Sequence, residues 1–181
     1  CHELPEGAKM IGSVNYILIR EGRLIGCNFD GIGCLNEVEK LICVDGKKVL
    51  VVGAGGAARA AVFEAKSRGA QVYCVNRTSV KAVKLADEFG VEFLSQPQGH
   101  FDVIINATSI GMDSNDKRSL ISNSGVYKNS VVLDMASRSG DCLLKKQVVN
   151  KGGKYISGAE MFLNLTLSSL QNFFFYQIST S

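Results

Sequence analysis

The stretch that constrains this chain most is KKVLVVGAGGAAR, Lys47 to Arg59. A β-branched and leucine run, Val49 to Val52, breaks at Gly53-Ala54-Gly55-Gly56 and passes into small helix formers from Ala57 to Val62. A buried strand, a tight glycine turn and a helix start are the layout of a dinucleotide-binding βαβ unit. Gly53 allows the turn. Gly55 lets backbone approach a pyrophosphate, since no Cβ intervenes, and Ala58 fills the third fingerprint position with a side chain small enough for close helix–strand packing. The pyrophosphate, flanked by Ala54, Gly56 and Ala57, would rest on unpaired N–H groups at the positive end of the helix. The alternative is a glycine turn that joins strand to helix and holds nothing.

The next apolar segment bears on that choice. Residues 70–75 (AQVYCV) read as a second strand ending in Asn76-Arg77-Thr78. A ribose-reading residue stands about 20 positions past the first glycine of such a unit, and Asn76 lies 23 past Gly53. An NAD site would place Asp or Glu there. Here stands Arg77, with Lys81 one helical turn later. A guanidinium fork binds a 2′-phosphate that a carboxylate would repel, so the residues favour NADP(H) over NAD(H), unless Arg77 is simply a solvated surface arginine.

Downstream, strand and helix patterns alternate to residue 157. A helix opens at Ser79, with Val80, Val83, Ala86 and Phe89 toward the core. Residues 91–94 and 101–106 read as strands, and the second ends in Ala107-Thr108-Ser109-Ile110-Gly111-Met112. Residues 113–129 are polar without strong periodicity. Strand 130–135, helix 141–151 and strand 154–157 follow, then a long helix 158–176 with Leu163, Leu167, Leu170 and Phe174 as its apolar stripe. Polar residues interrupt that stripe, so it is no membrane span. The expected fold class is α/β, a doubly wound parallel sheet of Rossmann type. Ligands bind such sheets at the carboxyl ends of the strands. Gly53 to Gly56, Asn76 to Thr78 and Asn106 to Met112 should therefore face one crevice, its rim extended by Met135 and Gly158.

Upstream, residues 1–9 read as irregular, and 10–20 and 23–29 as a hairpin turning at Glu21-Gly22. A helix opens at Asp30 and runs to about residue 42. Asp30 suits the start of that helix as a cap, and a chemical role is the alternative. The charge of +3, from 20 basic and 17 acidic residues, gives no basic cluster for nucleic acid. Six cysteines without a CxxC, beside two histidines, argue against a metal site. They read as reduced, mostly buried thiols of a cytoplasmic protein. No basic start followed by an apolar stretch marks a signal peptide.

With these residues in place the chain resembles the shikimate dehydrogenase family, in an ordered series of motifs over nearly its whole length. GSVNY at 12–16 is similar to the family's GAxNT, and GCNFDGIG at 26–33 to GxNTDxxG. GAGGA at 53–57 and NRT at 76–78 match outright. NATSIGM at 106–112 matches the segment flanking the nicotinamide, which brings in Thr108, Ser109 and Met112. GAEMF at 158–162 is similar to a GxEMF form seen in plant bifunctional dehydroquinase–shikimate dehydrogenases, a resemblance that leaves open an upstream dehydroquinase domain as a further partner.

The resemblance implies an NADP-dependent oxidoreductase that interconverts 3-dehydroshikimate and shikimate, in the pathway to chorismate and the aromatic amino acids. It implies a partial substrate-binding domain at 1–45, an NADP-binding domain at 46–157 and a C-terminal helix at 158–181 that returns to the substrate side. Asn15 and Asp30 would bind ring hydroxyls, and Asp30 would pair with a lysine that handles the alcohol proton. Ser137 would stand at the substrate where the family has a tyrosine.

The chain also departs from the family. That lysine lies upstream of GAxNT in the family, and Lys9 is too close to Gly12 to be it. With Cys1 as the first residue, the expectation is an N-terminally truncated chain that binds NADP(H) without turnover. Tyr16 and Phe29 replace threonines, and Leu165 replaces a glutamine. Two alternatives follow from these replacements: a catalytically silent member that binds nucleotide or substrate as a sensor or interaction module, and a quinate dehydrogenase.

Overall fold

The computed structural model describes residues 1–113, 118–121, 127–136 and 142–166. The apolar run after Lys47 forms β3 (Lys48–Val52), with β1 (Tyr16–Arg20) and β2 (Arg23–Cys27) before it and β4 (Gln71–Val75), β5 (Glu92–Phe93), β6 (Val103–Asn106), β7 (Val131–Asp134) and β8 (Lys154–Ser157) after it. Strands β3 to β8 make one six-stranded sheet in the order β5-β4-β3-β6-β7-β8, and every pairing in it is parallel.

Alternate residues of each central strand serve opposite faces, as a pleated strand requires. Val49 and Val51 of β3, Val103 and Ile105 of β6, and Val131 and Leu133 of β7 enter one buried cluster. Leu50, Val52, Ile104 and Val132 enter the other. Both faces are covered, which is why these strands read as continuous apolar runs rather than alternating ones.

The helices α2 (Asp30–Glu39), α3 (Gly56–Ser67) and α4 (Ser79–Phe89) cover the first face, and α5 (Leu143–Val149) covers the second through Leu144 and Val148. A further helix, α6, occupies 158–166, where Met161 is buried in the first cluster. Among the described residues no helix is long and apolar enough to cross a membrane.

Four expectations need correction. Residues 10–15 are not strand: α1 (Glu6–Ile11) ends at Gly12, whose φ of +68° places it in the left-handed region while its N–H donates to Ala8 O and Lys9 O. Pro5 before the helix and Gly12 after it were the punctuation to read. On α4 the buried stripe is Ala82, Leu85 and Ala86, and Val80 and Val83 are exposed. The i, i+3, i+4 spacing outweighs the higher hydrophobicity of the valines. Leu163 of the expected C-terminal stripe is exposed, and the remaining stripe positions lie outside the described residues. Of the six cysteines, all free, only Cys34 and Cys74 are buried. Burial raises both thiols, Cys74 to about 11, which keeps them protonated and unreactive.

The hairpin stands apart as a two-stranded sheet. All five residues of β1 are exposed, and residue 3 runs parallel beside Ile25 on the other side of β2.

Candidate functional site

Strand order reverses between β3 and β6: the chain first builds outward through β4 and β5, then returns to the opposite side of β3. At such a switch point the loops leaving the carboxyl ends of neighbouring strands diverge and open a crevice. The structure has a cleft of about 1100 Å³ there, lined by Gly53, Ala54 and Gly55 after β3, Asn76, Arg77 and Thr78 after β4, Lys81 on α4, and Thr108 and Ser109 after β6. Three strand ends expected to converge do so.

The floor is the glycine turn. Gly53 has φ +127°, and a Cβ on it would stand 2.7 Å from Ala107 O, so both conformation and space demand glycine. Its N–H donates to Val75 O at 2.8 Å. Nothing lies within 4 Å of the position a Cβ on Gly55 would take, which leaves open space above that residue for a ligand. No side chain caps α3, so its first-turn amides, at Gly56 and Ala57, are the donors an anion would take.

On the second wall, Asn76 folds back and donates to Thr78 O at 3.1 Å. Between them Arg77 is exposed and makes no ion pair among the described residues, and Lys81 is exposed on the first turn of α4. Two positive charges thus flank one end of the cleft, neither with an acidic partner among the described residues.

The third wall is organised by Asn106, which is fully buried. Its Oδ1 accepts from Thr108 N at 3.0 Å and from the Thr108 hydroxyl at 2.7 Å. Its Nδ2 donates to Ile110 O at 2.9 Å and to Asp134 Oδ1 at 2.7 Å. All four hydrogen-bonding positions of the amide are used, and they fix residues 107–110 as the side of the cleft. Asp134, also fully buried, accepts in addition from the Tyr155 hydroxyl at 2.8 Å and from Ala136 N at 3.2 Å. Asp134 and Tyr155 escaped the sequence reading; the available signal was an acidic residue closing an otherwise apolar run, VVLD, at a strand end.

Other expected residues lie outside this cleft lining. Met112 is exposed beyond the loop. Met135 and Gly158 adjoin one another, since a Cβ on Gly158 would stand 2.7 Å from Met135 O. At the start of α6, Ser157 and Glu160 form a reciprocal capping box: Glu160 Oε2 accepts from Ser157 N at 2.8 Å and Glu160 N donates to Ser157 Oγ at 3.2 Å. The S-x-x-E spacing made it legible. Ser137 lies outside the described residues.

Asn15 and Asp30 form a second polar group. Asn15 Nδ2 donates to Asp30 Oδ1 at 2.7 Å, and its Oδ1 accepts from Phe29 N at 3.0 Å. Asp30 is the first residue of α2. Burial raises its carboxyl above the usual range, and the Asn15 amide partly offsets that rise. Tyr16 and Phe29 pack edge to face beside the pair, 5.6 Å between centroids. Leu165 of α6 closes on Gly33, its Cδ2 3.2 Å from where a Cβ would be, one helical turn from Asp30. The replacements noted at 16, 29 and 165 thus gather around Asp30.

Comparison with known proteins follows the same lines. The family model described as shikimate / quinate 5-dehydrogenase matches residues 36–137. The Aquifex aeolicus shikimate dehydrogenase (NADP(+)) is 38% identical over 164 residues, covering 88% of this chain and 60% of that protein. The crystal structure of shikimate dehydrogenase from that organism superposes with a TM-score of 0.83 over 93% of this chain and 64% of its own. The chloroplastic bifunctional 3-dehydroquinate dehydratase/shikimate dehydrogenase of Arabidopsis thaliana is 32% identical, covering 96% of this chain and 32% of that protein. A Thermus thermophilus shikimate 5-dehydrogenase, solved in complex with NADP(H) and shikimate, is 31% identical with a TM-score of 0.77, over 88% of this chain and 61% of its own. The chain spans about three fifths of the length of the Aquifex protein.

Proposed function

Because the chain belongs to the shikimate/quinate dehydrogenase family, we propose that it is the nucleotide-binding part, with a portion of the substrate side, of an NADP-dependent oxidoreductase interconverting 3-dehydroshikimate and shikimate. The division that accompanies this reading is substrate side at 1–45, nucleotide domain at 46–157 and a returning helix from 158. The observation that carries it is the cleft itself: a glycine turn open at Gly55, with Arg77 and Lys81 at its second wall and no acidic residue among the described residues that line it.

The residues fit NADP(H) part by part. The uncapped first turn of α3 offers amides to the pyrophosphate. Arg77 and Lys81 suit the 2′-phosphate, where a planar guanidinium gives paired donors and an acidic residue would repel. The loop 107–110, pinned by Asn106, would supply the wall on the nicotinamide side. When bound, the nicotinamide supplies hydride transfer to or from a ring carbon. This chain's Asn15 and Asp30 would hold ring hydroxyls, the amide as donor and acceptor and the carboxylate as acceptor. Asp30, oriented by the Asn15 amide, would in turn orient and tune a neighbouring proton-transfer residue.

The test is a titration of this chain with NADP+ and NAD+ by calorimetry, repeated on Arg77→Asp. The expected result is tighter binding of NADP+ by the wild type and a loss in Arg77→Asp that is much larger for NADP+ than for NAD+. Equal losses for both would remove Arg77 from the 2′-phosphate, and no binding of either would remove the nucleotide reading.

A further inference from the structure

Arg59 sits one turn into α3, outside the cleft lining. Its backbone N–H donates to Gly55 O at 2.9 Å, so it closes the helical turn whose leading amides face the proposed pyrophosphate. Its guanidinium leaves the helix in two directions. Both Nη atoms grip the Glu88 carboxylate of α4, Nη1 at 2.8 Å, and the group lies over the Phe89 ring, 5.2 Å from its centroid. Nε donates to Ile11 O, the last carbonyl of α1.

The segment that follows α1 is shaped around this contact. A Cβ on Gly12 would stand 2.6 Å from Arg59 Nη2, and the Ser13 hydroxyl occupies the space a Cβ on Gly56 would need. Ser13 O then accepts from Asn28 Nδ2 at 3.1 Å, Asn28 Oδ1 accepts from Asp30 N at 3.0 Å, and Asp30 receives Asn15 at 2.7 Å. One unbroken series of contacts runs from the glycine turn to the Asn15–Asp30 pair. The clamp that holds the head of this series, with Ile11 O on one side and Glu88 on the other, takes a fork with donors on two sides, which arginine has and lysine lacks.

We propose that Arg59 is a positioning residue that couples nucleotide occupancy of the glycine turn to the order of the Asn15–Asp30 pair, by clamping residues 11–13 onto the first turn of α3. This rests on the nucleotide reading above. A phosphate held by the α3 amides fixes that turn. The clamp passes the restraint to Gly12 and Ser13, and the asparagine bonds pass it to Asp30. Coupling of this kind requires a physical element that both sites bias, and the Arg59 fork is that element here. Glu88 of α4 holds the fork from behind.

The experiment is amide-resolved hydrogen exchange on this chain with and without NADP+, with binding followed separately by calorimetry. The readout is the ratio of exchange rates, free over bound, at Asn15, Phe29 and Asp30. In the wild type NADP+ should slow these amides by about fivefold or more, the lower end of ordinary coupling between sites. Arg59→Met keeps a long stem against Phe89 and removes the fork. It should bind NADP+ within a few-fold of wild type and lose the slowing. A merely structural role would speed exchange equally with and without nucleotide and leave the ratio intact. If Arg59→Met lacks a cooperative melt, Glu88→Gln loosens the fork and should lower the same ratio. Retention of the wild-type ratio in a folded, nucleotide-bound variant overturns the proposal, as does wild-type binding without slowing. Absence of NADP+ binding in the wild type overturns the nucleotide reading itself, and this coupling with it.

Discussion

Asn106→Asp is nearly isosteric, yet it attacks the buried side chain that organises the third wall of the cleft. The acceptor side is kept, so Thr108 retains both of its bonds. The donor side becomes an oxygen facing Asp134 Oδ1, now 2.7 Å away, and Ile110 O, now 2.9 Å away. Both residue 106 and residue 134 are fully buried. Two carboxyl groups at that distance share a proton and titrate as a pair. If burial beside Asp134 lifts the new acid from about 3.9 unfolded to about 7 folded, the lower end of what full burial does to a carboxyl, linkage gives a cost of roughly 4 kcal/mol near pH 8 and roughly 1.5 kcal/mol near pH 5. The sign follows from the raised folded value: the folded state holds the proton more tightly, so the variant is least handicapped in acid and loses stability as pH rises toward that value. Even protonated, the acid has one donor for two acceptors, which adds about 1 kcal/mol at any pH. The total near pH 8 is about 5 kcal/mol, a melting shift of roughly 10–20 °C for a chain of this size. The assay is denaturant unfolding of variant and wild type across that pH range. A gap of the same size at both ends of the range, or one under about 1 kcal/mol throughout, would refute the buried network as described.

Other substitutions test the remaining geometry. Gly53→Ala meets a φ of +127° and Ala107 O at 2.7 Å, so it should cost ~2–5 kcal/mol and lower the melting temperature and nucleotide affinity together; a neutral effect on melting would show that the turn is not strained toward glycine. Ser157→Ala breaks the capping box of α6 and should cost about 1 kcal/mol near neutral pH. The Ser157 hydroxyl and amide hold the Glu160 carboxyl below its usual value, a stabilisation present above the unfolded pKa and lost as pH falls through the folded one. The gap from wild type should therefore narrow in acid, and a gap that widens there would contradict the cap. Asn15→Ala removes the amide that offsets the effect of burial on Asp30, so the Asp30 carboxyl should titrate at higher pH in a carbon-detected NMR experiment; an unchanged or lower midpoint would dissolve the pair.

Much of the architecture lay in the order of residues because it depends on short-range chemistry. Val49 to Val52, Gly53 and Gly55 had to be strand, turn and helix start whatever surrounded them, and a run of strands alternating with helices has few ways to bury both sheet faces. Arg77 could be placed just past a strand end by counting, and in the fold it lines the cleft together with Lys81. Position in sequence did not decide what meets across the fold. Asp134 reads as the polar end of a strand, and its place against Asn106 and Tyr155 exists only because β6, β7 and β8 are neighbours. Val80 and Val83 look more apolar than Ala82, but the face that α4 turns to the sheet is set by packing, not by hydrophobicity alone. Arg59 is the clearest case: in the sequence it is one cation on a helix, while its partners Ile11 and Glu88 lie 48 and 29 residues away. Local pattern fixes which elements form and where their glycines must be. Only the packed chain decides which buried polar groups find one another, because that requires distant segments to be brought within hydrogen-bond length of each other.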